Sequence, residues 1–198
     1  MRTRLHQRSR LILVRHGSAP SEWATRGDPD LNARGRRQAR LACAGLQRLG
    51  PMPILSSPLK RAVQTATPIA ERWGVPIRID PVLRDIEPPS GVTPPEAWSW
   101  LERLTQETWD ESPGEVRALR DEIIRLASEL RGDTLLVTHM FTISVLLGHA
   151  SGGEETMPFW PDNCSISIVE TGDRWRLVRV GRQIAAARRS FAPSEPRR

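Results

Sequence analysis

The chain has 198 residues, of which 38% are hydrophobic and 26% charged, and a formal net charge of +6 from 29 Lys+Arg against 23 Asp+Glu. That length and balance suit one soluble globular domain with a substantial core. They go with no membrane span, since no apolar run is long enough to cross a bilayer. Two cysteines, Cys43 and Cys164, lack CxxC spacing and read as small core residues rather than metal ligands or a disulfide. The four apolar residues after Arg10 are too few for a signal h-region, so the expected setting is reducing and cytoplasmic. Much of the basic excess sits in two tails, 1–10 and 186–198, flanking an expected single domain at 11–185. Without interleaved aromatics these tails read as solvated ends rather than a nucleic-acid surface.

In chain order, Leu11–Val14 is a short apolar run that reads as a buried strand, ending in Arg15-His16-Gly17. Ser18 to Asp30 is loop-like, broken by Pro20, Gly27 and Pro29. Asn32 is the expected N-cap of a helix whose apolar face is Ala39, Ala42, Cys43, Leu46 and Leu49. Met52–Leu55 is a second strand. Ser57-Pro58 then opens a second helix along Leu59, Ala62, Ala66, Ile69 and Trp73, in which Pro68 should make a kink or break. Val75–Ile79 is a third strand. Asp85–Pro95 is too proline-rich for regular structure and leads into a helical segment from Glu96 to Trp109. Residues 86–112 together form a lid-like insert. Its tryptophans, Trp98, Trp100 and Trp109, are expected to bury themselves in a small core of the lid, with stacking on a substrate as the alternative. Ser112-Pro113-Gly114-Glu115 has the form of a capping box before a helix with the stripe Val116, Leu119, Ile123, Leu126 and Leu130. Thr134–Thr138 is a fourth strand, followed by His139 and an apolar helix near Thr142–His149. Cys164, Ile166 and Ile168 alternate as a strand that pairs with Arg174–Val180 around Thr171-Gly172-Asp173. The alternation predicts an α/β fold: a three-layer αβα sandwich with a mostly parallel sheet and a C-terminal β-hairpin.

Polar groups recur just after the strands: Arg15 and His16 after the first, Ser56, Ser57 and Arg61 after the second, Arg84, Asp85 and Glu87 after the third, His139 after the fourth. In a parallel sheet these ends share one edge, so groups distant in sequence converge there. Arg61, in a helix's first turn, stands beside unpaired N–H groups that together suit an anion. His6 and His149 lack such a placement. A metal site built on His16, His139, Asp85 and Glu87 is disfavoured by two arginines in the same pocket and by the absence of HxH or HxxxH spacing.

Five segments resemble the histidine phosphatase superfamily, with its phosphoglycerate mutase-like fold. Leu13–Gly17 is similar to the Arg-His-Gly signature, and Asp30–Ala39 to the helix start with Gly-x-x-Gln-Ala. Ser56–Ala66 resembles the second motif, Leu136–His139 the motif of the second histidine, and Asn163–Ile166 the start of the late strand. The resemblance implies a metal-independent phosphatase, without cofactor, acting on a small phosphorylated substrate. His16 would attack phosphorus, while Arg15, Arg61 and His139 hold the phosphate oxygens. The acid that protonates the leaving oxygen aligns with Asp85, with Glu87 as the competing assignment, and Ser18 would be an additional phosphate ligand. Met140 stands where the family usually has glycine, and the acid segment lacks the family's common Trp-Glu-Gly run. Phosphoglycerate mutase-type transfer and a catalytically impaired phospho-ligand binding protein are the alternatives.

Overall fold

Strand β1, Arg10–Arg15, sends its side chains alternately into two cores. Leu11 and Leu13 join one cluster, Ile12 and Val14 the other, as the two-residue period of a strand requires. The computed structural model describes residues 8–20 and 27–184; most of the N-terminal tail, part of the loop after β1 and the C-terminal tail lie outside them. The six-stranded sheet has the order β3-β2-β4-β1-β5-β6, with β2 Ile54–Ser56, β3 Ile77–Ile79, β4 Thr134–Thr138, β5 Ile166–Glu170 and β6 Arg176–Arg179. The first four in that order pair in parallel; β5 is antiparallel to β1 and forms the expected hairpin with β6.

Helices α1, Ala33–Leu46, and α2, Lys60–Trp73, bury Leu46, Ala62, Ala66 and Ile69 against Ile12, Val14, Ile54, Leu135 and Val137. On the opposite face α3, Pro94–Leu104, α4, Gly114–Glu129, and α5, Met140–Ser151, pack over Leu11, Leu13, Leu55 and Leu136. The result is the α/β architecture of three layers. No helix is long and apolar enough to cross a membrane among the described residues.

Several local expectations change. Helix α2 runs through Pro68 without a break. Fully burying Ile69 contributes about 1.5–3 kcal/mol, comparable with the roughly 3 kcal/mol an interior proline costs, and the buried alanines of the same face add to it. The helix expected to open at Ser57-Pro58 has its N-cap at Leu59, and the Ser57 hydroxyl accepts from the Leu59 N–H at 3.2 Å. The capping box falls at Thr93–Glu96, at the head of α3. Ser112 instead donates its hydroxyl to the Trp109 carbonyl, and α4 starts from Pro113. Strand β3 is only Ile77–Ile79, β5 starts at Ile166 rather than Cys164, and Cys43 and Cys164 are free and half-buried. Trp100 and Trp109 are each 8% exposed and belong to the same cluster as Leu11 and Leu136. The insert therefore shares the domain core instead of building its own. Trp98 is 56% exposed.

Candidate active site

The register places Arg15 opposite Thr138 and Ser56 opposite Val137, so β1, β2 and β4 end side by side. The pairing continues one residue further: the His16 N–H donates to the Thr138 carbonyl at 2.9 Å and the Ser57 N–H to the Val137 carbonyl at 3.0 Å. Asp85 is carried in by the segment after β3, a single 3-10 turn at Pro81–Leu83. Thr138 fastens that turn by donating its hydroxyl to the Leu83 carbonyl at 2.8 Å. Arg15, His16, Arg61, Asp85, Met140 and Asn163 line one cleft of about 210 Å³.

Behind β1 two glycines let backbone meet backbone. A Cβ on Gly17 would lie 2.7 Å from the Gly35 carbonyl oxygen, and one on Gly35 would lie 2.0 Å from that of Ser18. Gln38 accepts the Ser18 N–H at 2.9 Å, and Thr65 accepts the Gly17 N–H at 2.9 Å. The Gly35 contact and the Gln38 bond give the Gly-x-x-Gln-Ala segment a physical role, which is to hold, together with Thr65 of α2, the turn that presents His16.

His16 is 8% exposed. Its Nδ1 lies 2.8 Å from the Gly17 carbonyl oxygen, which can only accept, so the proton sits on Nδ1. The Nε2 lone pair faces the cleft and accepts from Arg61 Nε at 3.3 Å. Burial lowers the His16 pKa well below its ordinary value, and His139, Arg15 and Arg61 push the same way, so the ring is neutral at neutral pH. The same guanidinium reaches Asp85 Oδ2 at 3.2 Å and His139 Nδ1 at 3.1 Å through Nη2. His139 is fully buried; its Nε2 lies 2.8 Å from the Ser57 hydroxyl and its Nδ1 lies 3.4 Å from Asp85. Burial alone would raise the Asp85 pKa. His139, through charge and hydrogen bond, then Arg61 and His16 outweigh that effect and hold the carboxyl well below the usual carboxylate range. Arg15 donates from Nη1 to the Pro161 carbonyl at 2.8 Å, and its buried Nε has no hydrogen-bond partner among the described residues. Burial lowers its pKa, with the Asp85 and Asp162 carboxylates opposing, yet a guanidinium stays charged at working pH.

The structure thus brings Arg15, His16, Arg61, Asp85 and His139 together, and it separates two others from them. Glu87 pairs with Arg84 at 2.9 Å on the surface, with its side chain 70% exposed. Ser18 is not among the residues lining the cleft; its hydroxyl accepts from Asn32 at 3.0 Å, at the cap of α1. Ligand atoms of His16, Asp85 and His139 lie within 4.8 Å of one another, close enough to hold a metal ion. The Arg61 guanidinium, however, already contacts all three, and it places positive charge where a cation would sit. Sequence reasoning missed Ser57 as the partner of His139, Thr65 as the acceptor for Gly17, and Asp28, which accepts the Lys60 N–H with both oxygens and lies 3.8 Å from Arg61. It also gave no role to Asn163, whose amide donates to the His16 carbonyl at 2.9 Å. Single polar residues in a loop, inside a helix or ahead of a strand carry no sequence mark for such contacts; only the fold supplies the partner.

At this parallel-sheet edge His16, Arg15, Arg61 and Asp85 line the cleft while the fully buried His139 stands directly behind them, an arrangement that marks the histidine phosphatase class. The model of the histidine phosphatase superfamily (branch 1) matches residues 11–183, and the chain belongs to that family. Phosphoserine phosphatase 1 of Hydrogenobacter thermophilus is 37% identical over 194 residues, covering 85% of this chain and 90% of the relative. A glucosyl-3-phosphoglycerate phosphatase of Mycolicibacterium vanbaalenii is 40% identical over 80 residues, 38% of this chain, and the match spans only 36% of that relative. A probable phosphoglycerate mutase of Yersinia enterocolitica is 29% identical over 185 residues, 81% of this chain and 84% of the relative. Among solved structures, the native mycobacterial glucosyl-3-phosphoglycerate phosphatase superposes with a TM-score of 0.69 at 24% identity, over 87% of this chain and 98% of that one, a likeness of fold.

Proposed function

We propose that the chain is a phosphatase that hydrolyses a small phosphomonoester through a phosphohistidine on His16. The observation that carries this reading is the state of the His16 ring: Nδ1 tied to the Gly17 carbonyl, and a neutral Nε2 lone pair aimed into a cleft walled by two guanidiniums. Arg15, Arg61 and His139 would take the nonbridging oxygens; a guanidinium fork matches phosphate geometry, and the Arg15 Nε has no hydrogen-bond partner among the described residues. Nε2 attacks phosphorus, forming the P–N bond as the bond to the leaving oxygen breaks. Asp85 gives that oxygen its proton. In the free site Asp85 is ionised because His139 and Arg61 face it. A bound phosphate that takes over those two groups leaves burial as the governing influence, and burial favours the protonated acid. In the second step water attacks phosphorus, Asp85 accepts a proton from it, and inorganic phosphate and neutral His16 are restored.

The coverage of Asp85 by the cleft, against the surface pairing of Glu87, supports Asp85 as the acid. Arg61 standing among His16, Asp85 and His139 supports chemistry independent of metal. The short path from Arg61 to Asp85, consisting of α2, β3 and one 3-10 turn, supports hydrolysis over return of the phosphoryl group to a second position. Relatives named as phosphatases support the same reading. The test is hydrolysis of phenyl phosphate in chelator by wild type and His16→Ala. Wild-type activity that survives chelator and vanishes in the variant is expected. Activity abolished by chelator, or equal in both proteins, overturns the reading.

A further inference from the structure

Beyond the phosphate groups, the cleft changes character. Its remaining described wall is apolar, formed chiefly by Ile86, Trp98, Leu101, Met140, Phe141 and Met157. Trp98 comes from the exposed side of α3 and is 56% exposed, an unusual place for a tryptophan that only fills a core. Its helix neighbours Trp100 and Leu101 anchor α3 in the domain core, so the indole is presented from a fixed support. Met140 and Met157 add unbranched, polarisable side chains that adapt to a flat surface. The charged and amide groups of the described lining, Arg15, Arg61, Asp85 and Asn163, all sit with His16 at the phosphate end.

We propose that this site is built for phosphomonoesters whose leaving group is uncharged and apolar, preferably flat, with Trp98 as the specificity-determining wall. The inference rests on the phosphatase reading of the site. A second carboxylate on the leaving group would meet Met, Phe and Trp side chains and lose water without gaining a partner among the described residues, a costly loss, and an ammonium would gain at most a ring face in place of its water. An aromatic ring loses nothing there and gains stacking and burial. Size agrees: an apolar cavity of about 150 Å³ holds benzene, and this cleft of about 210 Å³ leaves the balance for a phosphoryl group.

Binding to the wild-type protein, measured by calorimetry with nonhydrolysable phosphonates, separates this proposal from the catalytic one. The probes are benzylphosphonate, 2-amino-4-phosphonobutanoate (zwitterionic beyond the phosphonate) and inorganic phosphate. Benzylphosphonate should bind at least tenfold more tightly than the amino acid phosphonate. Trp98→Ala should remove most of that difference while leaving the affinity for inorganic phosphate within twofold. A parallel series of benzyl phosphate, ethyl phosphate and phosphoserine, all esters of primary alcohols, should rank in kcat/KM with benzyl phosphate first. Equal or reversed affinities with inorganic phosphate still bound overturn the apolar wall alone. A Trp98→Ala loss of equal size for all three probes overturns the role of Trp98 and shows a merely structural one. Failure of all three probes to bind overturns the phosphate site itself.

Discussion

Replacing Arg61 by lysine tests how the site works, because it keeps the charge and removes the fork. The guanidinium spans three groups at once: His16 Nε2 at 3.3 Å through Nε, and Asp85 at 3.2 Å and His139 at 3.1 Å through Nη2. A single ammonium cannot occupy both nitrogen positions, so most of these contacts are lost. Removing one donor to a transition-state oxyanion costs about 2.7–4 kcal/mol, so kcat/KM on phenyl phosphate should fall about 100- to 1000-fold. Stability should suffer much less, since a cation remains beside Asp85. A loss of about 1–2 kcal/mol corresponds to about 2–8 °C in Tm for a chain of this size. Arg61→Met supplies the contrast, because it leaves the Asp85 carboxylate without its guanidinium. Breaking a buried pair in that way costs about 3–5 kcal/mol, and here less, because the Asp85 side chain is 21% exposed. Steady-state kinetics and thermal unfolding of the three proteins decide the matter. Arg61→Lys within threefold of wild type in kcat/KM would refute the argument that fork geometry holds the transferring group.

The other predictions concern protons and packing. Asp85 has a folded pKa below its unfolded value of about 3.9 and His16 one below its unfolded value of about 6.5. In both cases the unfolded state binds the extra proton, so the stability each contributes is intact above the unfolded pKa and drains away as pH falls. Tm should therefore decline from pH 7 to pH 4, and His16→Gln should flatten the part between about 6.5 and 5; an unchanged slope in that variant would contradict the buried neutral ring. Asp85→Asn should lower kcat/KM for ethyl phosphate far more than for 4-nitrophenyl phosphate, whose leaving group needs no proton in the first step. Glu87→Gln should leave both rates within twofold, and the reverse pattern would move the acid to Glu87. Gly35→Ala puts a Cβ 2.0 Å from the Ser18 carbonyl oxygen, so the backbone must shift, and both Tm and phenyl phosphate turnover should drop; a variant equal to wild type in both would remove the backbone contact from the account.

Much of the site could be read from the sequence because one rule covers it: in a parallel sheet, residues just past strand ends share an edge. Arg15, His16, Asp85 and His139 follow that rule directly, and Arg61 follows it through a helix's first turn. The cores were equally legible, since Leu11 to Val14 alternate between faces by strand period alone. Ser18 broke the pattern because a hydroxyl next to Gly17 can turn either toward the cleft or toward the α1 cap, and Asn32 claims it. Pro68 misled because local cost was read without the packing that offsets it. The motif at Ser112–Glu115 has the letters of a capping box, yet Ser112 finds the Trp109 carbonyl first. Trp98 was hidden among neighbours: whether Trp98 or Trp100 faces the cleft depends on helix phase, and the start of α3 at Pro94 fixes that phase.

The central claim is a covalent phosphoryl group on His16. Wild-type protein mixed with a rapidly hydrolysed aryl phosphate in chelator, quenched within a turnover and digested under alkaline conditions that preserve phosphohistidine, should yield one phosphoryl adduct on the peptide that contains His16, mapped to Nε2. The adduct should be absent from His16→Ala and should accumulate when Asp85→Asn slows the attack of water. Turnover with the adduct on another residue, or unimpaired turnover by His16→Ala, would contradict it.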